Sequence, residues 1–183
     1  DNDKLECDLL SKIKDQLGDF CYSDNNDSLA FSVHALLLKK NISLAIVESC
    51  TGGLLSKKLT DFPGSSSYLL GSVVAYSNKV KNKVLNIPKH TIDNEGAVSS
   101  IVSRLMVDNV KQIFSADLAV SITGVSGPSG GNKVTPLGLY YISIYYKNQI
   151  MTHKFIFNID DRKIHRDVAS SKALDLVRLL IKD

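Results

Sequence analysis

Residues 42–59 read ISLAIVESCTGGLLSKKL, and the fold of the chain turns on this stretch. Ile42, Leu44, Ala45, Ile46 and Val47 form a short apolar run rich in β-branched residues, the pattern of a buried strand. Polarity then changes abruptly at Glu48, Ser49, Cys50, Thr51, Gly52 and Gly53, and Leu54, Leu55, Lys58 and Leu59 suit the start of a helix. A strand that hands a Ser and a Cys to a Gly-rich turn at a helix N-terminus sets a nucleophile among unpaired backbone N–H groups. Such a turn serves acyl transfer or anion binding. It serves equally as a plain helix cap, in which a hydroxyl satisfies the first N–H groups.

Working outward, the flanks alternate in the same manner. Residues 3–18 read as a helix with Leu5, Leu9, Leu10, Ile13 and Leu17 on one face. The polar run 23–27 breaks it, and a second helix over 28–40, capped by Asp27 or Ser28, turns Leu29, Val33, Leu36 and Leu37 inward. Beyond the opening stretch, 61–64 (DFPG) reads as a turn and 68–76 (YLLGSVVAY) as a strand. Ser77 and Asn78 cap a short helix through Val84, and polar residues 93–96 precede an amphipathic helix over about 97–114, with Val98 its first apolar position. Residues 116–123 form a strand leading into the Gly-rich loop 124–132. A hairpin follows over 137–146 and 150–159, and a last helix over 162–182 faces Ile164, Val168, Val177, Leu180 and Ile181 to the core. Alternating strands and helices followed by a hairpin imply an α/β sandwich with a mixed sheet. The 183 residues amount to one domain over 28–183, preceded by a helical extension over 1–27.

Composition excludes several classes. A net charge of +3 with scattered lysines gives no nucleic-acid footprint, and no segment has the roughly 18 uninterrupted apolar residues of a membrane span. Cys7, Cys21 and Cys50 show neither CxxC nor a zinc-type spacing, and His34, His90, His153 and His165 are dispersed, so neither a metal nor another cofactor is expected. The odd cysteine count and the lack of an apolar signal core point to the cytoplasm.

Two further clusters face the opening turn in function. The first joins Ser65, Ser66 and Ser67 to Tyr76 and Lys81, where a desolvated Lys81 could act as base for a serine. Its bland alternative is a solvated helix carrying Lys79, Lys81 and Lys83. The second is the loop TGVSGPSGGN (residues 123–132), a backbone cradle for phosphate or an oxyanion, or else a surface loop. Its match to G-x-S-x-G over 127–131 is accidental, because an elbow joins strand to helix and here Pro136 and a strand come next. Arg162 and Arg166 stand four residues apart in the first turns of the last helix, against the helix dipole, either neutralised by Asp160 and Asp161 or placed as a carboxylate- or phosphate-binding pair. Cys50 competes with Ser49 as nucleophile, since a helix N-terminus lowers a thiol pKa.

Taken in order, the words ESCTGG (48–53), PGSS (63–66), YSNxxK (76–81), GAVS (96–99), TGxxGPxGG (123–131) and PxG (136–138) resemble the C-terminal domain of the competence/damage-inducible protein CinA, a domain also found as stand-alone nicotinamide mononucleotide deamidases. The likeness spans about residues 29–183 and implies a three-layer α/β/α sandwich. Its implied reaction is hydrolysis of the carboxamide of nicotinamide mononucleotide to nicotinate mononucleotide and ammonia, a step of pyridine nucleotide recycling. The resemblance makes Ser49 the nucleophile and Lys81 the base, with Tyr76 relaying or orienting the proton and Ser66 assisting. It lines the substrate site with Gly52, Gly53, Thr123, Gly130 and Gly131, and anchors the substrate on Arg162 and Arg166. It further implies the stand-alone form; the apolar helices, Leu5 to Leu17 in particular, could cover the core or a neighbouring subunit, and a homo-oligomer is expected. Val125 and Ser126 depart from the small residues usual in that loop, without removing a catalytic group. The alternative is a nucleotide-binding or regulatory module of the same fold with weak or no turnover.

Overall fold

The structure is a computed structural model that describes residues 2–23 and 25–182, with side chains from residue 9 onward. Five strands make one sheet in the order β2-β1-β3-β4-β5, where β1 is Leu44–Glu48, β2 Leu69–Val74, β3 Leu118–Gly124, β4 Leu139–Tyr146 and β5 Gln149–Ile156. β1 pairs in parallel with both β2 and β3, while β4 pairs antiparallel with both β3 and β5. The mixed sheet read from element order is therefore observed. Every residue of β1 is buried, as a central strand covered on both faces must be.

Period-two alternation divides the core into two layers. Leu44, Ile46, Leu118, Val120, Ile122, Ile142 and Ile144 face one way, packing against α2 (Leu29–Lys40), α3 (Leu54–Thr60) and α7 (Arg162–Ile181). Ala45, Val47 and Ala119 face the other way and meet Val102, Met106, Val107 and Val110 of α6 (Ser100–Phe114). Small residues on this second face let α6 lie close to the sheet. The short helices α4 (Asn78–Lys83) and α5 (Lys89–Glu95) and the link between them complete that layer through Leu85, Ile87 and Ile92. The result is an α/β/α sandwich.

Helix starts follow side-chain caps. Ser28 accepts from the Phe31 N–H and Ser77 from the Val80 N–H. Three details differ from the pattern reading. α6 begins at Ser100 because Ser99 accepts from the Val102 N–H, so Ala97 and Val98 belong to the approach and not to the helix. Residues 89–95 are helical, capped at Pro88, and so take in most of the polar run 93–96 that the pattern places only before α6. Ile164 is half exposed, and α7 instead buries His165, Ala169, Ala173, Leu174, Val177 and Ile181.

The N-terminal helix α1 spans Asn2–Leu17. Its stripe of Leu9, Leu10, Ile13 and Leu17 is exposed and adds nothing to the core, while Leu5 and Cys7 lie outside the described side chains. The Asp19 carbonyl accepts a hydrogen bond from Arg178 of α7 at 2.5 Å and so fastens this segment to the domain. No helix among the described residues is long and apolar enough to cross a membrane.

Candidate active site

β1 and β3 end side by side, and the chain leaves them in opposite directions: β1 leads to β2 on one side, and β3 pairs with β4 on the other. In an open α/β sheet such a switch point opens a crevice at the carboxyl ends of the strands. Ser49 follows β1 directly and its N–H donates to the Ile122 carbonyl at 2.9 Å, which fixes the turn to β3. The cleft here has a volume of about 280 Å³ and is lined by Ser49, Lys81, Tyr76, Thr123, Gly130 and Arg162, among others. That volume lies at the small end of the roughly 300–1,000 Å³ usual for small-molecule sites.

The Ser49 hydroxyl is 3.0 Å from Lys81 Nζ, which also donates to the Ala75 carbonyl at 2.8 Å. Helix α4 makes this contact: Ser77 caps its first turn, and the fourth residue points back under the sheet edge, leaving Lys81 only 1% exposed. No carboxylate pairs with Nζ among the described residues. Burial therefore pulls Lys81 below the usual lysine range, opposed only by attraction to the Cys50 thiolate when that forms. A neutral amine beside a serine hydroxyl can accept its proton. Cys50 lines the same cleft, but burial pushes its thiol up to about 12, a rise that the Ser126 hydroxyl only partly opposes. At neutral pH it is a thiol and a weak nucleophile.

Glu48 went unassigned in the sequence, yet it organises the turn. It is fully buried, and its carboxylate accepts from the N–H groups of Gly53, Leu55 and Ser56 at 3.0, 3.1 and 2.9 Å and from the Ser56 hydroxyl at 2.7 Å. A carboxylate one residue before the candidate nucleophile thus caps α3. The signal was present: a lone acid closing an apolar strand just before a helix start has the orphan N–H groups as natural partners. These donors are consequently taken and cannot hold an oxyanion.

The other expected residues divide. Thr123 is in the cleft wall, its hydroxyl donating to the Ala97 carbonyl at 2.8 Å, and Gly130 lines the rim. Arg162 reaches across the mouth and donates to the Gly127 carbonyl at 2.6 Å and the Tyr76 hydroxyl at 2.9 Å. Tyr76 therefore flanks the cleft but touches neither Ser49 nor Lys81, which meet without a relay. Gly52 and Gly53 lie outside the lining; their φ of +62° and +94° builds the turn, and a Cβ on Gly52 would meet Arg166 at 3.2 Å. Arg166 is committed to the Thr51 carbonyl, at 3.2 Å from Nε and 2.5 Å from Nη2, and steadies the turn from behind. Gly131 packs on Leu137 outside the cleft.

Ser66 is elsewhere altogether. It sits on the turn before β2, whose first residue pairs with Leu44 at the opposite end of β1. Ser49 is five residue steps along from Leu44, roughly 16 Å, so Ser66 of this chain cannot assist Ser49 of the same chain. No group of three or more His, Cys, Asp or Glu able to hold a metal occurs among the described residues.

A model of the CinA C-terminal domain family matches residues 26–181. A CinA-like protein from Dictyoglomus thermophilum is 39% identical over 170 residues, covering 93% of this chain and 41% of that protein. One from Desulfotalea psychrophila is 39% identical over 166 residues, 91% of this chain and 40% of that protein. The chain thus spans about two fifths of the length of the curated relatives it matches. Among solved structures, the competence/damage inducible protein CihA from Agrobacterium tumefaciens superposes with a TM-score of 0.80 at 28% identity, over 85% of this chain and 94% of that one. A CinA superfamily protein from Klebsiella pneumoniae gives a TM-score of 0.80 at 27% identity, over 84% of this chain and 96% of its own.

Proposed function

The chain belongs to the CinA C-terminal domain family, and from that premise we propose that it is a metal-independent amidohydrolase cleaving the carboxamide of nicotinamide mononucleotide. The observation that carries the reading is the 3.0 Å contact between Ser49 Oγ and a buried Lys81 that no carboxylate holds among the described residues. In the first step Ser49 Oγ attacks the amide carbon while neutral Lys81 takes the hydroxyl proton. The resulting ammonium returns that proton to the amide nitrogen as the C–N bond breaks, releasing ammonia and leaving an ester on Ser49. Water, deprotonated by the same Lys81, then cleaves the ester and frees nicotinate mononucleotide. Lys81 serves as base and acid in turn, which requires a pKa near working pH, and desolvation moves it in that direction.

Positioning comes from the cleft mouth. Arg162 is the cation at the rim, and it engages the substrate phosphate by exchanging its Gly127 or Tyr76 partner for the anion. The Cys50 N–H, next after the nucleophile, donates to no backbone carbonyl among the described residues and is one donor for the oxyanion.

A nucleotide-binding module without turnover is favoured by one feature, the Ser129–Gly130 edge of the cleft, which offers backbone N–H groups whatever the state of Lys81. Ammonia release separates the two. Wild-type protein given nicotinamide mononucleotide is expected to release one ammonia per substrate, and both Ser49→Ala and Lys81→Ala to reduce kcat by at least about 100-fold with unchanged far-UV circular dichroism. Undiminished turnover in Ser49→Ala removes the assigned nucleophile. Binding with no ammonia from wild type leaves the regulatory reading standing.

A further inference from the structure

An amide hydrolase needs at least two donors where the carbonyl oxygen gains charge, and the α3 N-terminus is closed to this use by Glu48. From the backbone of the Gly-rich loop we infer that the second donor is the Gly127 N–H, and that His165 is the positioning residue that aims it; this rests on the amidohydrolase reading above.

Accounting for the polar groups of residues 125–127 leaves two backbone N–H groups, those of Ser126 and Gly127, without an acceptor among the described residues. The Val125 N–H donates to the Leu139 carbonyl at 2.9 Å, and the Val125 carbonyl accepts from Gly138 at 2.8 Å. The Ser126 carbonyl lies 3.0 Å from His165 Nδ1, and the Ser126 hydroxyl 2.7 Å from the Tyr140 hydroxyl. The Gly127 carbonyl accepts from Arg162, and Pro128 has no N–H to give. Gly127 is buried, lines the cleft with Ser49, and its N–H has no acceptor among the described residues. A trans peptide directs its C=O and N–H to opposite sides. With the Ser126 carbonyl held by His165, the Gly127 N–H of the same peptide is turned the opposite way, and Gly127 lines the cleft that holds Ser49.

His165 can hold that peptide because it is itself fixed. It is 2% exposed, with Nε2 3.0 Å from the Phe157 carbonyl just beyond β5; a neutral ring donates to one of its two carbonyl neighbours, and we take the Nδ1–H tautomer, which donates to Ser126. Gly138 makes room for this junction: its φ is +78°, and a Cβ there would fall 1.9 Å from the Phe157 carbonyl and 3.2 Å from Nε2. Tyr140 stands over the ring with centroids 6.1 Å apart. Two successive carbonyls of the loop are thus gripped by the first turn of α7, Ser126 by His165 and Gly127 by Arg162.

An oxyanion donor acts in the transition state, so its misalignment lowers kcat and spares KM. The variants are His165→Phe, which fills the space without a donor, and His165→Asn, whose amide nitrogen falls near the Nδ1 position. With nicotinamide mononucleotide, His165→Phe is expected to lose at least about 10-fold in kcat with KM within about twofold, part of the roughly 10²–10³ that removal of a whole donor costs. His165→Asn is expected to recover most of the loss. In ¹⁵N-labelled wild type, saturating nicotinate mononucleotide is expected to move the Gly127 amide proton downfield, because the product carboxylate occupies the place of the amide. Full kcat in His165→Phe, or a loss shared equally by KM, overturns the inference. So does a Gly127 amide unmoved by a product that binds. If His165→Phe fails to fold, the Asn variant and the Gly127 amide decide. Absent ammonia with a shifted Gly127 amide overturns the hydrolase reading alone.

Discussion

Lys81 is where the chemistry meets the physics of burial. An ammonium ion buried between the Ala75 carbonyl and the Ser49 hydroxyl, with no carboxylate paired to it among the described residues, is destabilised relative to water. The amine therefore gives up its proton below the ordinary value of 10.5. Only the neutral form can take the Ser49 proton, so kcat/KM is expected to fall with decreasing pH through this depressed pKa and to level off above it. The profile should show a single acid limb with its midpoint below 10.5. Lys81→Arg, which stays charged at every accessible pH, should lose at least about 100-fold and the limb with it. A wild-type profile that rises only near 10.5 would mean that Lys81 is solvated in solution, as its lysine-rich helix had allowed. Nothing in the sequence chose between these outcomes, because Lys79, Lys81 and Lys83 look alike until the fold buries one of them.

At the scale of elements, β1 and α3 behave as one device joined by Glu48. The strand delivers the carboxylate, the carboxylate caps the helix, and Ser49 is held in the bend between them. Removing a buried group that satisfies several donors typically costs about 3–5 kcal/mol, so Glu48→Ala should lower the urea midpoint by the equivalent of about 3 kcal/mol. Glu48→Gln keeps one acceptor oxygen and should cost less, about 1–2 kcal/mol. Equal midpoints for wild type and Glu48→Ala would make the cap ornamental. The strand, the Gly turn and the helix were all legible in residues 42–59, because apolar periodicity and positive-φ glycines are local signals. The use of Glu48 was not, since its partners are backbone groups that every sequence possesses. Likewise Ser99, a cap among several polar neighbours, could not be singled out before the fold was seen, and the helix of residues 89–95 has too few apolar positions to announce itself. Ser66 failed for a different reason: ordered motifs fix sequence adjacency, while the parallel pairing of β1 and β2 decides which end of the sheet each motif occupies.

Across the whole molecule, two aspartates outside the cleft tie distant parts of the chain together. Asp117 accepts from the Ser43 hydroxyl at 2.5 Å and the Ser43 N–H at 2.9 Å, locking the entry of β1 to that of β3, and these bonds hold its carboxyl below the ordinary value. Burial works against ionisation of Asp175, but its bonds to Arg178 and Lys172 outweigh that and hold it low as well. Through Arg178 the second contact also reaches the carbonyl of Asp19, so the N-terminal segment depends on it. The sign follows from proton counts. In the unfolded chain both groups titrate near about 4, whereas the folded chain keeps them ionised to lower pH, so between the two values the unfolded state binds more protons and stability rises with pH. Their contribution is full above the unfolded value and is lost as pH falls through the folded one. Urea midpoints for wild type are therefore expected to hold steady from pH 7 to 5 and to drop from pH 4 to 2.5. Asp117→Asn combined with Asp175→Asn should start from a lower midpoint at pH 7 and show a shallower acid decline. Parallel curves for the two proteins would place the acid sensitivity in other carboxylates and leave these two ties without a role in holding the sheet entry and the N-terminal segment in place.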